Sequence, residues 1–450
     1  MTTTKENGIT EGVIWKQLLL FFFPILIGSF FQQLYNTVDT IIVGQYVGKV
    51  ALAGVGSTGT LTNLWVGFFI GLASGASVII SQFFGRRDEE SLSKAVHTSV
   101  ALALAGGVLL MVIGLLTAEP SLKLLGVPEE VMGEALTYIR VYYAGIIACI
   151  IYNVGTGILR AIGDSKMPLY VLIVCCLVNI VLDLLFVVAF HWEVFGVALA
   201  TVLSQAVSAV LVMLRLMRTS EAYKVELKKI RFHWATFQQV VRIGLPTGFQ
   251  SVLYSISNLV IQSSINSFGT DAVASWAAVG KVDGFIWMIM GAFGISITTF
   301  VGQNFGAGRL DRVRKGTRVC LAMTAGAILV LSAVEFFFAE PILRIFTSDE
   351  AVVELGASFV HIWAPAYIAY VFIEIFSGAI RGVGEAFKPM VITIFGVCVL
   401  RLVWIWGVLP HYRTPGMVAA SYPVTWGVTA VVFIIYYLRM NWLKRTIGRI

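Results

Sequence analysis

The sequence predicts an all-α membrane protein with twelve transmembrane helices in two pseudo-symmetric six-helix lobes. The chain of 450 residues is 58% hydrophobic and only 13% charged, and its mean hydropathy is +0.86. Soluble domains, by contrast, carry about 25% charged residues. Twelve apolar stretches are long enough for spanning helices, which need roughly 20 residues. In addition, the second half of the chain repeats the first at an almost constant offset.

The predicted spans are separated by polar connections that are alternately rich and poor in Lys and Arg. The spans cover residues 14–43, 52–82, 95–117, 132–159, 168–190, 196–217, 238–266, 273–303, 318–338, 351–380, 389–410 and 416–438. Most of the 32 Lys and Arg lie at the chain ends or at one set of connections. The exceptions are Lys49, Lys123, Arg140, Lys281, Arg344, Arg401 and Arg413. Because such residues concentrate on the cytoplasmic side, we expect a multi-pass protein of the plasma (cytoplasmic) membrane with both termini in the cytoplasm.

The repeat is visible in paired sequence features. Pro24 corresponds to Pro246, an offset of 246 − 24 = 222. RAIGDSKMP at 160–168 corresponds to RGVGEAFKP at 381–389, an offset of 381 − 160 = 221. Since six helices is an even number, both halves should have the same orientation, with a cleft between them. We therefore expect an N-lobe at 1–217, a cytoplasmic linker at 218–236 and a C-lobe at 237–450.

The motifs in the chain do not indicate an enzyme. The segment GVGSTG at 54–59 has the spacing of a dinucleotide fingerprint, but no strand precedes it and it lies inside an apolar stretch. The sequence contains no HExxH, GxSxG or Walker A motif. The five cysteines all lie in apolar runs, and such an odd, buried set fits neither a disulfide framework nor a metal site. Gly67, Gly71 and Gly75 form a doubled GxxxG, which is typical of close helix packing in membranes.

Four polar residues in the N-terminal half predict an ion site. Asn179 and Asp183 are four residues apart and share one face of the fifth span. Asp39 in the first span and Thr201 in the sixth lie at a depth similar to that of Asp183, about 7–12 Å below the outer surface. Two carboxylates, an amide and a hydroxyl suit a proton or a hard cation such as Na⁺. The alternative is a structural hydrogen-bond cluster, but intramembrane charge is costly and usually functional.

The repeat provides an internal comparison for this predicted site. The counterparts of Asp39, Asn179, Asp183 and Thr201 in the second half are Ile261, Leu400, Trp404 and Ser421, respectively. Both carboxylates are therefore absent from the second half. We expect that whatever the cluster does is done once, in the N-terminal half.

The C-terminal half carries charges of its own inside predicted spans. They are Lys281, Asp283, Glu374 and Arg401. One interpretation is internal ion pairing that only neutralises buried charge. The other is that Asp283 or Glu374 faces the cleft and meets a cationic substrate, with aromatic rings adding cation–π surface. The residues predicted to line the cleft are Gln33, Tyr35, Asn36, Asn153, Tyr254, Asn258, Lys281, Asp283, Tyr370, Glu374 and Arg401.

The chain resembles the multidrug and toxin extrusion (MATE) family over nearly its whole length. The run FQQLYNTVDTIIVG at 31–44 and the paired segments SQFFGRRD at 81–88 and VGQNFGAGR at 301–309 carry the resemblance. The set Asp39, Asn179, Asp183 and Thr201 looks like the N-lobe cation site of the DinF-like branch. The positions that are acidic in the NorM-like branch are here Tyr254 and Tyr370.

The resemblance implies a V-shaped fold and a function. It implies antiport, in which amphipathic and mostly cationic small molecules are exported in exchange for H⁺ or Na⁺. Pro24 would be the hinge that lets the first span bend as Asp39 changes state. The implied protein is a monomer in membrane lipid, with the coupling ion as its only cofactor and no nucleic-acid partner.

Other functions remain open at the level of the sequence. A flippase for lipid-linked saccharides uses a related fold, but a cleft for such substrates would carry several Arg. A major-facilitator transporter also has six plus six helices, yet its expected loop motif is absent after the second span. An intramembrane enzyme is a candidate from a different class, although no nucleophile–base or metal-ligand constellation is present. A channel is disfavoured because no ring of repeated polar residues is apparent.

Overall fold

The structure is a computed structural model that describes residues 9–439, and it contains no strand within that range. Contacts divide the chain into two compact units. We call Phe23–Gly248 the N-terminal unit, and Met1–Phe22 together with Phe249–Ile450 the C-terminal unit. The boundaries between the units lie beside Pro24 and Pro246, inside the first and seventh predicted spans. The part of the first span before Phe23 therefore belongs to the C-terminal unit, and the part of the seventh span before Phe249 belongs to the N-terminal unit.

The first eight helices lead from the start of the described chain to the second unit boundary and just beyond it. They are α1 (Ile14–Ile42), α2 (Lys49–Arg86), α3 (Glu89–Leu124), α4 (Glu129–Ala144), α5 (Ile146–Ala161), α6 (Lys166–Asp183), α7 (Glu193–Arg218) and α8 (Trp234–Asn266). Two π-helical segments extend α1 and α6, at Val43–Val47 and Leu184–Ala189 respectively.

The remaining helices repeat this order with more interruptions. They are α9 (Thr270–Gly306), α10 (Leu310–Phe337), α11 (Ala339–Leu343), α12 (Glu350–Trp363), α13 (Tyr367–Gly382), α14 (Phe387–Thr393), α15 (Leu400–Gly407) and α16 (Pro415–Arg439). A 3₁₀ segment, Ala364–Ala366, joins α12 to α13, and a π-helical segment, Ile394–Val399, joins α14 to α15. The predicted all-helical membrane fold is confirmed.

Each predicted span corresponds to one helix or to one interrupted helix. Ten helical segments in the described chain are long and apolar enough to cross a membrane, and the bent pair α4–α5 makes an eleventh. The helix α8 is not among them, because Ser, Gln and Asn interrupt its apolar surface. The helices also extend beyond the predicted limits. For example, the span predicted at 95–117 is the helix Glu89–Leu124, since Asp88 caps its start by accepting a hydrogen bond from Ser91 N at 3.0 Å.

The fourth span is bent by 51° between α4 and α5, whereas the sequence predicted one continuous helix at 132–159. Gly145 lies at the break. A Cβ added at Gly145 would be 2.1 Å from Cγ1 of Val202 in α7, so only glycine allows this close approach. The bend therefore reflects packing of α5 against α7, which hydropathy does not report.

The repeated small residues of α2 pack against α8 within the N-terminal unit. A Cβ added at Gly71 would be 2.5 Å from Gly248 N, and one added at Gly75 would be 2.4 Å from Gly244 N. The two backbones thus approach each other as the GxxxG pattern predicts. The segment at 54–59 lies inside α2, as expected from its lack of a preceding strand.

The linker between α7 and α8 docks on the first turns of α3. His97 Nδ1 donates to Ser93 O at 2.7 Å, and its Nε2 accepts from Glu226 N at 3.0 Å. The hydroxyl Oγ1 of Thr98 accepts from His233 N at 3.2 Å. The linker contains only one short 3₁₀ segment, Leu227–Lys229. It is held by these hydrogen bonds rather than by a helix of its own.

Candidate functional site

The structure brings the four residues of the predicted ion site together inside the N-terminal unit. The Asp39 carboxylate in α1 interacts with the side chains of Asp183 and Asn179 in α6 and of Thr201 in α7. Asn179 and Asp183 are fully buried, and Thr201 is 5% exposed. The i, i+4 spacing on α6 places the amide and the carboxylate on the same face. Helices that are far apart in sequence thus contribute oxygen atoms to one place.

The polar atoms of this cluster are poorly satisfied by the protein. Oδ1 of Asp39, both oxygens of Asp183 and both amide atoms of Asn179 are buried and form no hydrogen bond of normal geometry with the described residues. The side chains are therefore near enough to interact without satisfying one another. An unsatisfied buried amide alone costs about 1–3 kcal/mol. A cluster that only stabilised the fold would be expected to pair these atoms.

The donors and acceptors fit a proton or Na⁺. Two adjacent carboxylates in a low-dielectric interior cannot both ionise cheaply, so they can share a proton. The Thr201 hydroxyl donates its hydrogen to Val197 O at 3.0 Å, which leaves the oxygen lone pairs available to a cation. Carboxylate, amide and hydroxyl oxygens are the ligands of hard cations. No group of three or more His, Cys, Asp or Glu suited to a metal occurs in residues 9–439, so a transition-metal site is not indicated there.

Both helices that carry a carboxylate change to π-helix close to it. The segment Leu184–Ala189 begins directly after Asp183, and Val43–Val47 begins one turn after Asp39. π-Helical turns inside α-helices are often found at functional sites. They break the regular hydrogen-bond ladder, so the backbone beside each carboxylate is less constrained than a continuous α-helix.

An apolar cluster packs around these two π-helical segments. Its buried members are Ile42, Val43, Ala51, Val187, Val194 and Val197, and Val38, Val47, Val55 and Tyr138 pack against them. Val197 also accepts the Thr201 hydroxyl hydrogen bond. The ion-site residues therefore adjoin a packed apolar region, and apolar surroundings strengthen electrostatic interactions.

Tyr138 in α4 belongs to the site but was not predicted. Its phenol interacts with the side chain of Thr201 and lies within the electrostatic field of Asp39 and Asp183. The internal repeat contains the information that would have identified it. The counterpart of Tyr138 is Phe359, since 359 − 138 = 221, so this hydroxyl, like the two carboxylates, occurs only in the N-terminal half.

The equivalent place in the C-terminal unit is an apolar core. Ile261 and Ile405 are buried there, and Trp404 packs against them. Ile261 and Trp404 are the counterparts of Asp39 and Asp183. An apolar packing therefore suffices for this architecture, so the carboxylates of the N-terminal unit are not required by the fold itself.

The predicted cleft residues of the N-terminal unit differ in exposure. Tyr35 is buried, whereas Gln33 and Asn36 are exposed. The Asn153 amide donates to Cys149 O at 2.8 Å and borders a small cavity between α2 and α5. Asn153 and Tyr35 both lie near Cys149, so these two of the four predicted residues share a neighbour within this unit.

The C-terminal unit gathers several predicted residues in an aromatic cluster. Asp283 accepts hydrogen bonds from Tyr367 OH and, at 3.1 Å, from Trp287 Nε1. The hydroxyls of Tyr254 and Tyr370 are 3.3 Å apart. Lys281 and Asn258 are exposed, while Glu374 is half-buried with its carboxylate against Gly294.

Internal ion pairing does not explain the charges of this unit. Within the described chain, Lys281, Asp283, Glu374 and Arg401 take part in no ion pair. The interpretation that these groups only neutralise one another is therefore not supported. Arg401 instead lies with its Cζ 3.9 Å from the ring centre of Tyr422.

Comparisons with known proteins agree with this architecture. The "Probable multidrug resistance protein YoeA" of Bacillus subtilis (strain 168) is 28% identical over 473 aligned positions, which cover 100% of both chains. "Probable multidrug resistance protein YpnP" of the same strain is 26% identical, covering 88% of this chain and 89% of its own. A solved structure described as "Crystal structure of MATE in complex with MaL6" shares the fold, with a TM-score of 0.91 at 24% identity over 98% of this chain and 100% of that one.

The sequence profile of the MatE family matches the chain twice, over residues 24–185 and 246–406. The two matches begin at Pro24 and Pro246, so they reproduce the internal repeat. Together they cover well over half of the chain. The chain therefore belongs to the MATE family, and it is a membrane transporter rather than an enzyme.

Proposed function

We propose that the protein is a multidrug efflux antiporter of the plasma membrane, which exports amphipathic organic cations in exchange for H⁺ or Na⁺. Its termini would face the cytoplasm. The coupling ion would bind at Asp39, Asn179, Asp183 and Thr201. The observation that supports this proposal most directly is the set of buried, unsatisfied polar atoms on Asp39, Asn179 and Asp183. The two relatives named for multidrug resistance support export of more than one compound.

The chemistry of the paired carboxylates gives the coupling step. One proton shared by Asp39 and Asp183 removes the repulsion between them. Na⁺ stabilises both groups in their ionised form, so the two ions compete for the same oxygens. Either ion changes the net charge of the site, and each charge state favours a different arrangement of α1 and α6. Energetic coupling requires such a difference in affinity between two states.

Pro24 supports a movement of α1. Proline removes one backbone hydrogen bond in the helix interior and favours a bend. The helix α1 is continuous from Ile14 to Ile42, with Pro24 inside it. We propose that α1 bends at Pro24 when the charge of Asp39 changes, and that this bend alters the affinity for the organic cation. Asp283 and Glu374 would favour cations over neutral substrates from the C-terminal unit.

Transport by purified protein in liposomes tests the proposal. A proton gradient and a Na⁺ gradient are imposed separately, with the membrane potential clamped, and uptake of a fluorescent organic cation is recorded. We expect at least one gradient to drive transport. The Asp39→Asn variant should lose gradient-driven transport while keeping a monodisperse elution profile, because the amide preserves the shape of the side chain and removes its charge.

A matched control is Glu130→Gln, which removes an exposed carboxylate at the start of α4. It should transport at the wild-type rate. If Asp39→Asn also transports at the wild-type rate under both gradients, Asp39 does not couple the ion. If neither gradient drives transport by the wild-type protein, the antiport proposal fails as a whole.

A further inference from the structure

Arg401 in α15 is a buried cation without an anionic partner. Its side chain is among the largest fully buried ones, and the residue is 2% exposed. The guanidinium Nε is buried and forms no hydrogen bond with the described residues. Arg401 also takes part in no ion pair within residues 9–439. Buried charges in proteins are normally paired or hydrogen-bonded. A bound anion would supply the partner that Arg401 lacks.

The fold itself does not require a cation at this position. The counterpart of Arg401 in the first half is Ile180, since 401 − 180 = 221. An apolar side chain therefore satisfies the equivalent position of the repeat. Asp283 is near enough to act electrostatically on Tyr422, as Arg401 does, but its carboxylate accepts hydrogen bonds from Tyr367 and Trp287 rather than from Arg401. The positive charge at Arg401 is thus a local addition that forms no ion pair with a carboxylate of the described chain.

One aromatic ring contacts this charge, and further rings pack behind that ring. The Arg401 Cζ lies 3.9 Å from the ring centre of Tyr422, and the Tyr422 ring lies 5.4 Å from that of Trp426. Trp426 in turn lies 5.6 Å from Tyr370 and 5.9 Å from Trp287. A cation over an aromatic face is stabilised by the ring quadrupole. The ring of Tyr422 holds the guanidinium in place but leaves its buried Nε–H unpaired.

A planar guanidinium with five donors matches a carboxylate through two parallel hydrogen bonds. The neighbouring rings match a flat, apolar body, since aromatic pairs favour edge-to-face and offset contacts. We propose that Arg401, Tyr422 and Trp426 form an anion-recognition site, which binds the carboxylate of an aromatic ligand. This inference goes beyond the export of cations. It rests on the proposed function in one respect, which is that the bound ligand is a transported substrate.

Binding of three matched probes to the purified full-length protein tests the site by calorimetry. The probes are 1-naphthoate, 1-naphthamide and 1-naphthylmethylammonium, which share one ring system and differ in charge. We expect the wild-type protein to bind naphthoate about tenfold or more tightly than naphthamide. The Arg401→Gln variant should lose this preference. The Arg401→Lys variant should keep only part of this preference, because an ammonium is a point charge and lacks the two parallel N–H donors of the planar guanidinium.

Two further variants separate recognition from folding. Arg401→Ile carries the residue that the first half has at this position, so it should fold and bind naphthoate no better than naphthamide. Arg344→Gln removes an exposed arginine that pairs with Glu350, and it should keep the wild-type preference. Equal affinity of the wild-type protein for naphthoate and naphthamide would overturn the proposal. Equal displacement of naphthoate by acetate and by nitrate at low concentration would show a site for any small anion and overturn the aromatic part.

The outcome is independent of the test for antiport. If the wild-type protein prefers naphthoate through Arg401 but no ion gradient drives transport, the anion site stands and the antiport proposal fails. If gradients drive cation transport and the Arg401 variants bind all three probes like the wild type, antiport stands and the anion site fails.

Discussion

Asp39 in α1 and Asp183 in α6 interact inside the N-terminal unit, and each is followed by a π-helical segment in its own helix. The pair brings two carboxylates together where the second half of the chain has Ile261 and Trp404 in an apolar core. The same architecture is therefore built once with apolar packing and once with a charge cluster. The stability of the fold does not explain the difference, whereas the proposed ion binding would.

Replacing Asp183 by Asn should shift the pH dependence of transport. With a single carboxylate left, the repulsion that favours the shared proton is lost, so Asp39 should bind a proton only at lower pH. We expect the pH profile of proton-driven transport to move toward acid by about one unit or more. Rates measured in liposomes across a range of external pH give this shift. An unchanged profile would mean that Asp39 acts alone.

Replacing Thr201 by Ala should weaken Na⁺ effects more than H⁺ effects. The hydroxyl oxygen is a neutral ligand that a metal ion needs and a proton on a carboxylate does not. We expect the Na⁺ concentration for half-maximal effect to rise on the order of tenfold, which corresponds to about 1.4 kcal/mol. Titration of transport with Na⁺ at fixed pH measures this change. Ser208→Ala, on the same helix and with its hydroxyl bonded to Ser204 O, serves as the control.

Replacing Gly75 by Ala should destabilise the contact between α2 and α8. The added methyl group would be 2.4 Å from Gly244 N and from Val240 O, and overpacking of this kind costs about 1–3 kcal/mol. Thermal unfolding in detergent should show a lower Tm. Gly59→Ala is a matched control on the same helix, because nothing lies within 4 Å of its added Cβ. Equal Tm values for the two variants would contradict the packing argument.

Acid should loosen the linker from α3. His233 Nε2 accepts a hydrogen bond from Arg231 Nε at 3.3 Å, which only a neutral imidazole can do. Protonation of His233 therefore breaks this bond beside the contact of His233 N with Thr98 Oγ1 in α3. Burial, followed by the positive charges of Arg231 and Lys94, lowers the pKa of His233. The docked state therefore binds fewer protons than the released state, so docking is strongest at high pH and weakens as the pH falls through the mildly acidic range.

Hydrogen exchange at the His233 amide, which donates to Thr98 Oγ1, measures this docking after correction for the intrinsic effect of pH. Protection should fall as the pH is lowered. In a His233→Leu variant, protection should not change in this range of pH, because the titrating imidazole is absent. A His361→Gln variant changes a histidine that bonds to Phe336 O in the C-terminal unit, and it should behave like the wild type. Protection that does not depend on pH in the wild-type protein would refute the role of His233.

The sequence by itself determined the all-helical membrane class and the repeat. These features depend on local composition and on spacing along the chain, since a bilayer imposes a minimum apolar length on every span. The offset between Pro24 and Pro246 is likewise a property of the sequence alone. The choice of Asp39 and Asp183 as candidate ion ligands also came from the sequence, because charge in an apolar stretch is conspicuous and the repeat shows which charges are additional.

The tertiary structure decided what depends on contacts between distant segments. It showed that Tyr138 joins the ion-site cluster, although a tyrosine in an apolar span has no distinctive pattern of its own. It showed the bend at Gly145, which follows from the position of Val202 in another helix. It also showed that Arg401 lies against Tyr422 rather than in an ion pair. Hydropathy and spacing indicate which segments are helical, but which side chains meet is set by how helices far apart in sequence pack together.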